Sequence, residues 1–148
     1  MVDILHRLGI SAPPTDVYEA FATIDGLSRW WTETVTGNPT PGGRLTFTFG
    51  APDRVVVVEV LAAIPDTSVV WRCVGGPSEW VDTTMTFALE QSGDETVLRF
   101  AHAGWREQVE FMGHCSSKWA YFLFGLKAGF EGGKATPFPH DEKISNWG

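Results

Sequence analysis

The stretch from Glu107 to Phe130, EQVEFMGHCSSKWAYFLFGLKAGF, constrains the fold more than any other part of the chain. Met112, Cys115, Trp119, Phe122, Leu126 and Phe130 recur three and four residues apart, the spacing of one face of an α-helix. Gly132-Gly133 ends the pattern. A face this aromatic must be buried against another element, and the segments before it read as strands, so the partner is a sheet. Gly113, inside the helix, costs about 1 kcal/mol relative to Ala and predicts a bend or loosening there.

The preceding chain alternates. Asp3 to Ser11 reads as a strand with Ile4, Leu8 and Ile10 on one side. His6 shares that side and reads as a hydrogen-bonded core residue. Pro13-Pro14 opens a helix, since proline is tolerated in a first turn where its missing N–H has no partner to lose. Val17, Phe21 and Ile24 form its buried stripe and Gly26 ends it; Leu27 to Thr32 reads as a second short helix. Five strands follow: Arg44 to Phe49, Arg54 to Ile64, Ser68 to Cys73, Trp80 to Glu90 and Thr96 to His102. Turn residues at Ala51-Pro52-Asp53, Pro65-Asp66, Gly75 to Ser78 and Ser92-Gly93-Asp94 join them, and turns this short make antiparallel hairpins. The expected fold is therefore α+β: a six-stranded antiparallel sheet, two short helices between its first two strands, and a long C-terminal helix. Residues 1–133 make one domain. Residues 134–148 form a polar tail with Pro137 and Pro139, expected to lie extended or partly disordered.

The composition excludes several functions. The net charge is -7, and no Lys/Arg stripe offers a surface to a phosphate backbone, so nucleic acid is not an expected partner. No apolar run approaches the roughly 20 residues of a membrane span. The N-terminus lacks the basic-then-apolar layout of a signal peptide, which points to the cytoplasm. Cys73 and Cys115 offer neither a disulfide framework nor a close-spaced metal pair, so no metal and no cofactor are expected. What stands out is the ring content, seven Trp and ten Phe, enough to fill a dense core or to line an apolar pocket.

Six segments, SAPPTDVYEAF, GLSRWWT, GGRLTFTF, VLAAIPDTSVVWR, TFALEQSGDETVLRFAHAGW and CSSKWAYFLFGLKAGFEGG, follow one another in an order that resembles a known family. This is the domain related to the C-terminal part of the heat-shock-90 ATPase activator, within the SRPBCC superfamily of START lipid-transfer domains, birch-pollen allergens and polyketide cyclases. The resemblance spans residues 3–133. It implies a helix-grip fold, in which a curved antiparallel sheet wraps round the long helix and leaves a cavity. Many members bind small apolar molecules there, some are cyclase- or hydrolase-like enzymes and some regulate chaperones. The resemblance assigns Trp30-Trp31 and Trp119 mainly structural roles.

Strand parity places the site. The short helices sit at one end of the sheet. Loops Gly50 to Asp53, Gly75 to Ser78 and Ala103 to Glu107 therefore lie at the other, with the start of the long helix. The inward faces supply the expected wall of a cavity: Phe47, Phe49, Trp71, Met85, Phe87, Phe100, Trp119 and Phe122. Cys73, Thr83 and His102 are expected at its mouth, together with Val81 and Trp105. His102 is the candidate acid/base, with Glu107 and Glu110 near enough to orient it. Two readings result: carriage of a small hydrophobic or aromatic ligand, or an enzyme acting on such a ligand through His102. A homodimer and a chaperone partner are both compatible with the sequence.

Overall fold

The computed structural model describes all of residues 1–148. Its elements are β1 (Val2–Ile10), α1 (Pro14–Ala22), α2 (Ile24–Ser28), β2 (Thr34–Gly37), β3 (Arg44–Thr48), β4 (Val55–Ile64), β5 (Ser68–Gly75), β6 (Thr84–Ser92), β7 (Glu95–Trp105) and α3 (Glu110–Phe130). One antiparallel sheet runs in the order β1-β7-β6-β5-β4-β3-β2. Every hairpin from β2 to β7 therefore pairs neighbours in sequence, and β1 closes on β7 through Leu5–Ala101, His6–Phe100 and Leu8–Leu98. The α+β helix-grip architecture is as expected; the strand count is seven rather than six.

The added strand is β2. It has four residues, of which only Val35 is buried. One inward residue gives no alternation, so the pairing of Val35 with Phe47, rather than local pattern, makes it a strand. Two boundaries also move. The strand expected from Trp80 begins at Thr84, because Trp80 to Asp82 form a turn in which Asp82 takes a φ of 71°. The second short helix is Ile24–Ser28, and Trp30 and Trp31 follow it in a turn. Thr23 caps that helix, its hydroxyl accepting from Gly26 N–H at 2.9 Å. Gly26 is required there: a Cβ would stand 2.3 Å from the Glu19 carbonyl oxygen.

The sheet bends where β4 carries two irregularities in its pairing with β5, between Val57 and Val58 and between Val60 and Ala62. Bulges increase strand twist and curl a sheet, here towards α3. The concave face is buried throughout: Leu45 and Phe47, Val58 and Val60, Trp71 and Cys73, Met85 and Phe87, Phe100 and His102. Against it α3 lays Cys115, Trp119, Phe122, Leu123 and Leu126. Rings dominate the contact. Trp119 lies 4.9 Å from Trp31 and 4.6 Å from Phe100, centroid to centroid, and Trp71 lies 4.8 Å from Phe87. The space expected to hold a deep cavity is filled by these side chains.

The helix passes Gly113 without a break, so the expected loosening does not interrupt it. Gly113 is exposed, and a Cβ there would meet nothing within 4 Å. The residue weakens the helix only through backbone entropy. No helix is long and apolar enough to cross a membrane.

Candidate functional site: a pocket under the C-terminal segment

The two ends of the sheet are arranged as parity requires. Thr15 at the start of α1 donates to Asp66 of the β4–β5 turn at one end. At the other, the Arg106 guanidinium donates to the Ser78 carbonyl at 2.6 Å, joining the β7–α3 and β5–β6 loops. A pocket of about 320 Å³ opens at this second end, between the β3–β4 turn and the first half of α3. Trp31, Phe49 and Val56 form one wall, Trp80 another, and Phe111, Cys115, Trp119 and Phe122 of α3 the third. Arg54, His114, Lys118 and Asp141 supply its polar groups.

Of the residues expected to contact a ligand, Phe49, Trp119 and Phe122 line this pocket. The other eight do not. Phe47, Trp71, Cys73, Thr83, Met85, Phe87, Phe100 and His102 are at most 1% exposed and belong to the core beneath it. Seven of them lie on strands with their side chains on the concave face, and Thr83 precedes β6. The difference is depth, because the rings meet one another before any space remains.

His102 is placed in the interior rather than at a mouth. Trp119 Nε1–H donates to its Nδ1 at 3.1 Å. The ring proton therefore sits on Nε2, which faces Thr83 Oγ1 at 2.8 Å, and the Thr83 hydroxyl donates to the Trp80 carbonyl at 2.6 Å. This chain satisfies both nitrogens in one tautomer. Protonating Nδ1 would aim two donors at each other. Burial alone holds the pKa down to about 3. Trp80 and Trp105 pack at 4.8 and 5.0 Å from the ring. No nitrogen is left for a substrate, and neither Glu107 nor Glu110 is hydrogen-bonded to it. The two thiols are also poor nucleophiles: burial raises the pKa of Cys73 and pushes that of Cys115 up to about 12.

The C-terminal segment provides the pocket's cover, and sequence reasoning missed it. It returns antiparallel along one stripe of α3. Thr136 pairs with Tyr121 Oη at 2.5 Å, and the Glu142 N–H donates to the same oxygen at 3.0 Å. Asp141 forms an ion pair with Lys118 at 2.5 Å, with both side chains largely buried. Ser145 Oγ meets His114 Nδ1 at 2.9 Å, and Trp147 packs edge-on against Phe111 and His114. Phe138 anchors the strap: its N–H donates to the Trp31 carbonyl and its carbonyl accepts from Glu33 N–H. A sequence signal did exist. Phe111, His114, Lys118 and Tyr121 recur at helical spacing on a second face of α3, beside the expected one.

A curved antiparallel sheet closed on a C-terminal helix, with an apolar pocket at one end, defines a helix-grip domain. The model of the family described as Activator of Hsp90 ATPase homolog 1-like protein matches residues 11–131, and the chain belongs to that family. Among solved structures, the Aha1 dimer from Colwellia psychrerythraea is 40% identical, with a TM-score of 0.83 over 91% of this chain and 100% of that one. CalU16 from Micromonospora echinospora is 20% identical, with a TM-score of 0.74 over 90% of this chain and 76% of that one. A protein from Staphylococcus saprophyticus is 19% identical, with a TM-score of 0.76 over 92% and 97%. The last two likenesses show the fold alone. No curated protein matches the chain.

Proposed function

We propose that this protein binds a small hydrophobic or aromatic molecule in the pocket between α3 and the β3–β4 turn. The observation that carries the reading is the pocket itself: about 320 Å³ of space walled mainly by rings, in a protein whose core is otherwise filled. Pockets of this size and lining are the ordinary form of small-molecule sites. Phe49, Trp119 and Phe122 are the proposed contacts from the inward faces, joined by Trp31, Trp80 and Phe111. Catalysis by His102 lacks support in its geometry, because both ring nitrogens are engaged.

Native mass spectrometry of freshly purified protein, with a thermal-shift panel of apolar and aromatic compounds, tests the reading. The expected result is a co-purifying small molecule, or a shift that saturates at one equivalent. Absence of both across the panel overturns it. The Colwellia relative is a dimer, and a homodimer is proposed here on that likeness. A solution mass of one chain by light scattering would overturn that part.

A further inference from the structure

The sheet ends at β1 in an edge whose backbone and side chains both fit a second copy of this chain. Resting on the homodimer reading above, we propose that two chains pair antiparallel through β1, with Leu5 of each chain on the two-fold axis, so that their sheets join into one.

The neighbouring hairpin fixes which way the backbone groups of β1 point. The short loop Gly93-Asp94 makes Ser92 and Glu95 a hydrogen-bonded pair of β6 and β7. Bonding then alternates along β7, towards β6 at Glu95 and towards β1 at Thr96. Thr96 faces Ile10, Leu98 faces Leu8 and Phe100 faces His6, so the even-numbered residues of β1 hold the ladder. Leu5, Arg7 and Gly9 therefore turn their N–H and C=O groups outward. Two contacts agree with this: the Gly9 carbonyl accepts from Lys127 Nζ at 2.6 Å, and the Ser11 N–H donates to Glu131 at 2.8 Å. Side chains of α3 thus close the last part of the edge, while no loop or side chain takes the backbone groups of Leu5 or Arg7. The opposite edge is blunted. β2 has four residues and ends at Gly37 with a φ of 119°, and Phe138 bridges to Thr32 just ahead of it. A long edge without Pro or Lys is a template for pairing, and β1 contains neither.

The side chains select both the partner and the register. Leu5 is 70% exposed on the convex face. Arg7, two residues on, stands opposite Arg99 of β7, and like charges directly opposite one another weaken a pair. Arg99 has Glu90 as a partner, whereas no carboxylate lies within ion-pair distance of Arg7. An isologous pair centred on Leu5 sets Leu5 against the partner's Leu5, and Arg7 against the partner's Asp3 on both sides of the axis. Asp3 is exposed, and only its Oδ1 is engaged, by the Gly104 N–H at 3.0 Å. Other registers are worse. Centring on Asp3 or Arg7 sets like charges against each other, and centring on Ile4 or His6 leaves Asp3 opposite an uncharged Leu5 or Gly9. The order Asp3-x-Leu5-x-Arg7 is complementary to itself when read antiparallel, which favours a second copy over an unrelated strand. Strand addition supplies the backbone bonds, and the charge pairs set the register.

Light scattering and sedimentation of the full chain over a concentration series read the mass, and circular dichroism checks that each variant is folded. The parent should reach the mass of two chains, with the Leu5 and Arg7 amides protected from exchange only where the dimer is populated. Leu5→Arg, at an exposed position, should keep the fold and raise the dimer dissociation constant about tenfold or more, because it brings like charges together on the axis. Arg7→Glu separates the interface from the fold. It relieves the repulsion with Arg99 inside one chain, so urea unfolding of the monomer should be no easier, yet it faces the partner's Asp3 and should weaken the dimer. Adding Asp3→Arg to Arg7→Glu should recover part of that loss. Phe124→Ser, on the exposed face of α3, should leave the dimer intact. A parent mass of one chain at every concentration overturns the homodimer reading and this interface with it. A dimer that persists unchanged in both Leu5→Arg and Arg7→Glu overturns the β1 interface alone, as does a dimer lost in Phe124→Ser but kept in Leu5→Arg.

Discussion

At the scale of single residues, His102 shows how a histidine that looks reactive in sequence becomes a structural one. Alternation places it on the concave face, and that much could be read from LRFAH. Its role could not, because the partners that fix it come from two separate segments: Trp119 of α3, and the β5–β6 loop, which supplies Thr83 and, through it, the Trp80 carbonyl. The folded-state pKa, near 3, lies below the 6.5 of an ordinary histidine. Above pH 6.5 the ring is neutral in folded and unfolded chains alike, and its contribution to stability is complete. Between pH 6.5 and about 3 only the unfolded chain takes up the proton, so stability falls with pH by up to about 1.4 kcal/mol per unit. The His102 resonances should accordingly show no titration from pH 8 to pH 4, with Nδ1 carrying the nitrogen shift of an acceptor. A titration midpoint above pH 5 would contradict the buried triad. Thr83→Val, which strands Nε2–H and leaves the Trp80 carbonyl only the N–H of residue 83, should cost about 1–3 kcal/mol in urea unfolding.

At the scale of elements, legibility followed the number of residues that repeat. The long helix was readable because six positions agree on one face, and β3 to β7 because each alternates over several residues. β2 offered one inward residue and was invisible. The strap, residues 136–147, has no period at all, since it is held by side chains that it meets only once α3 is formed. The second stripe on α3 was the available clue, and it was masked by polar residues that pass for a solvated face. The Lys118–Asp141 pair is a largely buried polar contact of the strap. Truncation after Pro139 removes that contact, together with Ser145 and Trp147, but keeps the Phe138 backbone bonds to Trp31 and Glu33. The truncated protein should keep its circular dichroism. Its tryptophans should be quenched more steeply by acrylamide, and stopped-flow binding of an apolar probe should be faster in both directions. Unchanged quenching and rates would mean that the strap does not limit access to the pocket.

At the scale of the whole molecule, the sheet and α3 divide their aromatic residues between two tasks, and the division runs between neighbours. Phe47 and Phe49 share a face of the same strand segment and read identically in sequence. Phe47 is fully buried, in contact with Trp31 and Trp71 at 4.4 and 5.4 Å. Phe49, one step nearer the open end, is half-buried and touches Trp31 at 5.4 Å and the strap's Phe138 at 5.6 Å. Which of two alternating positions falls in the core and which at the pocket depends on where the facing helix and the returning strap stop. That is a property of the assembled fold, not of the strand. The consequence can be measured. Phe47→Ala empties a site packed on every side and should cost about 3–5 kcal/mol in denaturant unfolding. Phe49→Ala opens a site already bordering a cavity, where less contact is lost, and should cost about 1–2 kcal/mol. Affinity for an apolar probe should show the reverse order at concentrations where both variants are folded: about fivefold or more weaker for Phe49→Ala, and near the parent value for Phe47→Ala. Because the free protein's core is already filled, the Phe49→Ala chain should still unfold in a single cooperative transition without any ligand. Equal stability losses at the two positions, or a larger affinity loss at Phe47, would mean that the ligand lies deeper than the pocket under the strap.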